Sequence, residues 1–326
     1  MKRRQNLAFT FVAISCGASL QAPLSPGQSL WEYHDRFMAE PDKLLYPEEE
    51  VSVPLRLQTF MGQCEERLYP TGAPYIARTA AWEYAGGNAE RTTLEKLITG
   101  TVTWDRHMNL TQDLRVASGA QFTITGTVNF APQTKLTIEP GAKVIVDGGI
   151  LHNSCGHLWK GIEVLGNAAL SQTPSTNQGF LILKNNAVVE NAEVGVKLFG
   201  TDADGVEIPG TTGGIVQTSS GATLRDCQRD VWFKPFQNTM AGVEAPNRSK
   251  FHETVFSSHD NGDGEAITSR MVVLDGVSGI VFHDCQLKCT GMIPENEPWH
   301  FPTGIWSDDS QFRVEQCDFS KLNTGI

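Results

Sequence analysis

The chain reads as an all-β protein, a right-handed single-stranded parallel β-helix (a solenoid) preceded by a small, mainly helical N-terminal region acting at least partly as a cap. Three observations predict this. Gly119-Ala120-Gln121-Phe122-Thr123-Ile124 recurs as Gly141-Ala142-Lys143-Val144-Ile145-Val146 after 22 residues, a period that suits stacked rungs too thin to bury an apolar face alone. Alternating apolar pairs follow at Leu114/Val116, Phe122/Ile124, Val128/Phe130, Leu136/Ile138 and Val144/Val146. Pairs this short, separated by Gly, Pro, Asn or Asp, suit three brief strands per coil with a turn at each corner. An antiparallel sandwich also uses short strands and ranks second, because it favours two-residue hairpins and gives no reason for the echo.

The third observation is a downstream phrase in which an apolar residue, an acid or amide, and a small residue follow one another. It appears around Val189-Glu190-Asn191-Ala192, Leu224-Arg225-Asp226-Cys227, His252-Glu253-Thr254, Phe282-His283-Asp284-Cys285 and Val314-Glu315-Gln316-Cys317. Aligned on Ala192, Cys227, Thr254, Cys285 and Cys317, it recurs after 35, 27, 31 and 32 residues. This predicts one inward ladder of small side chains. The extra length over 22 reads as loop inserted at one corner, where function would sit on a rigid solenoid.

The N-terminus has a different character. Met1-Lys2-Arg3-Arg4, the apolar run Leu7 to Ile14 and Leu20-Gln21-Ala22 before Pro23 read as a secretion signal over residues 1–22, too short to span a bilayer. Ala13-Ile14-Ser15-Cys16 is the alternative, a lipoprotein box with lipid on Cys16. No later stretch suits a transmembrane helix. In residues 23–99, capping boxes at Ser29-Leu30-Trp31-Glu32 and Thr92-Thr93-Leu94-Glu95 predict helices. The second, carrying Leu94, Leu97 and Ile98, would cover the open end of the solenoid. The β-helix is then expected over 100–326, ending in Gly325-Ile326 as though another strand begins, so that the chain reads as the front of a longer protein.

Net charge is −11 over 326 residues, and deepens by three to −14 without residues 1–22. Nucleic acid is therefore an unsuited partner, since duplex binding depends on Lys and Arg neutralising phosphates. Polyanionic polysaccharide is disfavoured too, unless a local basic groove or calcium offsets the field. Cys285 and Cys317 on neighbouring rungs would be within disulfide reach; the alternative is a stack of small buried hydrophobes. No CxxC pair suggests zinc.

Thr103-Trp104, the Gly-Ala rungs, Val146-Asp147-Gly148-Gly149 and Trp159-Lys160-Gly161-Ile162-Glu163-Val164 resemble secreted right-handed β-helix proteins of the pectate-lyase-like fold. More narrowly, they are similar to large surface proteins of Bacteroidota. The resemblance, over roughly 100–326, implies a secreted or outer-surface location and, in many members, a C-terminal sorting domain read by the type IX secretion system. Enzymes of that superfamily cleave acidic polysaccharides, so Asp308 and Asp309 are weighed as catalytic carboxylates against a polar turn before Phe312. The neighbours that polygalacturonase-like sites need are missing. Asp202/Asp204 and Asp260/Asp263 are weighed as calcium ligands against solvated turns. Trp299, His300 and Trp306 are candidates to stack on sugar rings. The favoured expectation is a monomeric surface protein with a binding or structural role toward an extracellular polysaccharide or cell-surface glycan, with no required cofactor. The alternative is a polysaccharide lyase or glycoside hydrolase.

Overall fold

A computed structural model of the chain describes residues 11–12, 19–20, 95–110, 112–153, 158–259, 267–290 and 298–326. Two compact units are distinguished, Met1–Gly72 with Arg78–Ala89, and Ala73–Ala77 with Glu90–Ile326. In the first, the described residues form one short antiparallel pair, Phe11–Val12 against Ser19–Leu20. The secretion signal, Cys16 and the helix expected after Ser29 otherwise lie outside the described residues.

The second unit is a right-handed parallel β-helix of three eight-stranded sheets. Each coil visits face I, then face II, then face III. The first coil is Lys96–Ile98, Thr101–Trp104 and Met108–Leu110; the eighth is Thr303–Asp308, Gln311–Glu315 and Asp318–Ser320. All neighbouring strands within a face are parallel, as a chain that always turns the same way requires. The 22-residue echo is one coil: Gln121, Phe122 and Ile124 lie beside Lys143, Val144 and Val146. Gly119 and Gly141 take φ of 77° and 84° at the corner before those strands, and a side chain on Gly141 would also meet Ser118 Oγ at 2.7 Å.

Every one of the five apolar pairs faces inward and is fully buried. Branched and aromatic side chains suit these flat walls, where each residue packs on its equivalent one coil away. Phe251 and Phe282 stack at 4.9 Å with rings 8° apart, and Phe130 stacks on Trp159 at 4.2 Å. Trp159 satisfies its buried indole N–H on the Glu190 carbonyl at 2.9 Å.

Three expectations are corrected. Lys96–Ile98 is a strand paired with Leu114–Val116, so the solenoid begins before residue 100 and the helix expected over 92–98 does not reach its end. Lys96-Leu97-Ile98 is too short for periodicity to separate a strand from a helical turn, and tertiary pairing decides. Loop length is inserted at two corners, not one. Segments 165–179, 198–214 and 233–249 leave the corner between faces I and II, whereas the long connections from Ser258 to Arg270 and from Cys289 to Thr303 join face III to face I.

The expected single ladder is two. Ala192 and Cys227 follow left-handed Asn191 and Asp226 at the corner between faces III and I. Thr254, Cys285 and Cys317 follow left-handed Glu253, Asp284 and Gln316 between II and III, in a column that continues back to Ala222 and Ala187. Each corner needs one left-handed residue and then a small side chain turned inward, so the local sequences match although the corners differ. Cys285 and Cys317 do sit on neighbouring coils, with the Cys285 N–H donating to Cys317 Sγ at 3.3 Å. Both are free thiols, and burial, ahead of the neighbouring thiol, pushes Cys285 up to about 11.

Candidate functional site

The outer surface of face I carries one column of aligned side chains, Glu163, Lys197, Trp232, Val273 and Trp306. Its two halves differ. In the first, Lys135 Nζ donates to the buried Glu163 carboxylate at 2.9 Å and to the Thr201 carbonyl at 2.9 Å. Lys197 Nζ lies 3.7 Å from the same carboxylate, and the Thr201 hydroxyl donates to it as well. The 198–214 segment thus closes over this half. Burial lowers the Lys197 pKa, with Glu163 opposing that shift.

The acidic turn weighed for calcium belongs to that segment. Asp202 Oδ1 accepts the backbone N–H groups of Asp204 and Val206 at 3.0 and 2.9 Å, and Thr201 bridges Glu207 antiparallel. One carboxylate oxygen is therefore engaged in holding the turn, as Asp commonly does, while Asp204 is exposed. Asp260 and Asp263 lie outside the described residues.

The second half is only partly covered: Val273 is 3% exposed, and Trp232 packs edge-on against Phe199 of the 198–214 segment at 5.2 Å. Trp232 and Trp306, both half-buried, stand two strands apart, roughly 9.5 Å by strand spacing. The Arg229 guanidinium lies 4.6 Å from the Trp232 ring centroid and Lys234 Nζ 5.2 Å from it. Arg270 lies 4.8 Å from the Trp306 centroid. Lys234 is neutralised by Asp275 at 3.2 Å. Arg229 and Arg270 are register partners on adjacent strands, yet among the described residues no carboxylate pairs with either. Burial and then the like charge of Arg270 push the Arg229 pKa down, although a guanidinium stays protonated.

Of the expected sugar-stacking residues, Trp306 therefore belongs to this site. Trp299 is 65% exposed on the turn Pro298–His300 just before the Trp306 strand, with its ring 5.8 Å from that of His300. Asp308 and Asp309 part company. Asp308 ends the face I strand beside Asp275, whereas Asp309, at φ 44°, lines a polar cleft of about 460 Å³ with Glu244, Gln237 and Ser310. Sequence reading missed Arg229, Trp232 and Arg270. Aligning Asp230-Val231-Trp232 with Gly304-Ile305-Trp306 would have found them, but the longer phrase at the other corners drew the alignment.

Chemically, two aromatic faces with uncompensated guanidiniums can take a flat apolar ring face together with a carboxylate or sulfate. Among the described residues no helix is long and apolar enough to cross a membrane. No family model, curated protein or solved structure matches the chain.

Proposed function

We propose that the chain is an extracellular β-helix binding protein whose second half of face I engages an acidic glycan. The observation that carries this reading is the stacked pair Arg229 and Arg270, which no described carboxylate neutralises, each set against a tryptophan of the same column. Leaving two like charges adjacent costs stability, and a bound anion removes that cost. Arg matches a carboxylate or sulfate with two parallel N–H donors, while the tryptophans receive the apolar faces of sugar rings. The net charge of −11 opposes polyanions at long range, but the local pair offsets it at contact.

The signal read at residues 1–22 and the resemblance to Bacteroidota surface proteins support a location outside the cell. Type IX sorting or a lipid on Cys16 would supply retention. A lyase is the second reading, because uronate elimination needs a basic side chain beside the sugar and Arg229 and Arg270 stand beside the same tryptophan column.

The test is retention of the purified chain by polygalacturonate, alginate and chondroitin sulfate, against neutral xylan and laminarin, with unsaturated ends monitored. Retention by acidic polymers that is lost in R229A and R270A supports the binding role. Retention by no polymer, or retention indifferent to both substitutions, overturns it. Release of unsaturated ends replaces it with the lyase reading.

A further inference from the structure

Among the described residues, one group of His, Cys, Asp and Glu side chains is close enough to share a metal ion: His252, His283 and Asp284, whose ligand atoms all lie within 4.8 Å of one another. We propose that this corner, between faces II and III and separate from the arginine site, is a transition-metal site for zinc, nickel or copper.

The site arises from the repeat. Phe251-His252-Glu253-Thr254 and Phe282-His283-Asp284-Cys285 occupy the same positions on consecutive coils. Stacking of Phe251 on Phe282 inside the core fixes the register, and on the outside the same register stacks the two imidazoles 5.1 Å apart with their planes 10° from parallel. Glu253 and Asp284 then take left-handed φ of 49° and 53°. That conformation brings the Asp284 carboxylate back beside both rings: Oδ2 is 2.9 Å from His283 Nδ1 and 3.8 Å from His252 Nε2.

Two features point to an ion. His283 Nδ1 is buried but has no hydrogen-bond partner; Asp284 is near enough but not aligned to serve as one, so a nitrogen that faces the carboxylate lacks the bond burial demands. On the other ring, Glu253 Oε2 lies 3.8 Å from His252 Nδ1. A carboxylate behind the second nitrogen of a histidine is the usual outer support of a metal-bound imidazole.

Two imidazoles and one carboxylate suit zinc, nickel or copper, whereas calcium and magnesium favour oxygen ligands throughout. Metal bonds of about 2.0–2.2 Å would draw the ligand atoms closer than they now lie. The side chains have room to do so, being between a third and a half exposed. Glu315 is the register partner of His283 on the next coil, where its carboxylate pairs with Arg313 at 3.2 Å.

The experiment is calorimetric titration of the full chain with zinc and nickel, and absorption spectroscopy with cobalt as a substitute. Single substitutions His252→Gln, His283→Gln and Asp284→Asn are compared, the last because Asn accepts the left-handed turn. Melting in a chelator establishes that each variant is folded. The expected result is one site per chain, metal raising the melting temperature, and affinity falling more than about tenfold in each variant. Native-strength binding by all three folded variants, or no binding by the native chain, would overturn the site. Loss in His283→Gln with full binding in both His252→Gln and Asp284→Asn would also overturn it, since the geometry requires the three together.

Discussion

The two halves of face I are built on one column of outward positions, yet they treat charge in opposite ways. Around Glu163 the opposite charges Lys135 and Lys197 come from neighbouring strands, point to the same side, and are covered by the 198–214 segment. One coil further, the strand Arg229–Trp232 carries outward a guanidinium that no carboxylate among the described residues pairs with and, at the next residue, a buried carboxyl without a hydrogen-bond partner. Asp230 is fully buried beside the Cys227 thiol, and neither carboxyl oxygen has a hydrogen-bond partner of good geometry. Alternation is broken here, where Arg229 and Val231 align with the bulged Val194 and Val196 of the preceding coil, and no ion pair joins buried Asp230 to its neighbour Arg229. The covered half therefore reads as structure, and the second half has groups whose cost the fold does not offset.

Substitution can break that contrast, and the largest effect is expected in the covered half. Glu163→Ala leaves Lys135 and Lys197 buried without their partner and should cost about 3–5 kcal/mol, read from the denaturant midpoint. A loss below about 1 kcal/mol would mean that the network is solvated.

Asp230→Asn tests the inward carboxyl. Burial, ahead of repulsion from Asp226, raises the folded-state pKa of Asp230 well above its usual value. The folded chain thus holds a proton that the unfolded chain releases. The stabilising contribution of this group is complete below the unfolded pKa of about 4 and declines as pH rises toward the folded value. The Asn variant should therefore exceed the native chain by roughly 2 kcal/mol at pH 8, with the advantage shrinking toward pH 4. A difference independent of pH would show that Asp230 is not protonated in the fold.

Binding effects come next. Trp232→Ala and Trp306→Ala should each weaken acidic-glycan binding by roughly 2 kcal/mol, about thirtyfold, in affinity electrophoresis. Unchanged mobility in both would remove the tryptophans from the site. The smallest effect is on the stability of Arg229→Ala, expected to stay within about 0.5 kcal/mol of the native chain. A large destabilisation would move Arg229 into the structural class of Glu163.

Much of the fold is legible in the amino-acid sequence. The five inward pairs and the 22-residue echo are local signals, because one strand's alternation and one corner's glycine are properties of a few consecutive residues. The ladder is only half legible. Ala192 and Cys227 share their local phrase with Cys285 and Cys317, and telling the corners apart needs knowledge of which strands pair. Lys96–Ile98 misleads for the same reason, since a three-residue strand is stabilised by Leu114–Val116 and not by itself. Of the candidate site only Trp306 stands out in the sequence, while Arg229 and Arg270 are distant along the chain and meet through register alone.

The sequence by itself determined that the chain stacks short parallel strands, because burial of alternating apolar side chains and the conformational demands of corner residues act over short distances. Tertiary structure alone decided which charges find partners. Whether Glu163 is surrounded by lysines, Arg229 abuts Arg270, or His252 lies on His283 depends on the register between coils, which the stacked core sets and which no single strand contains.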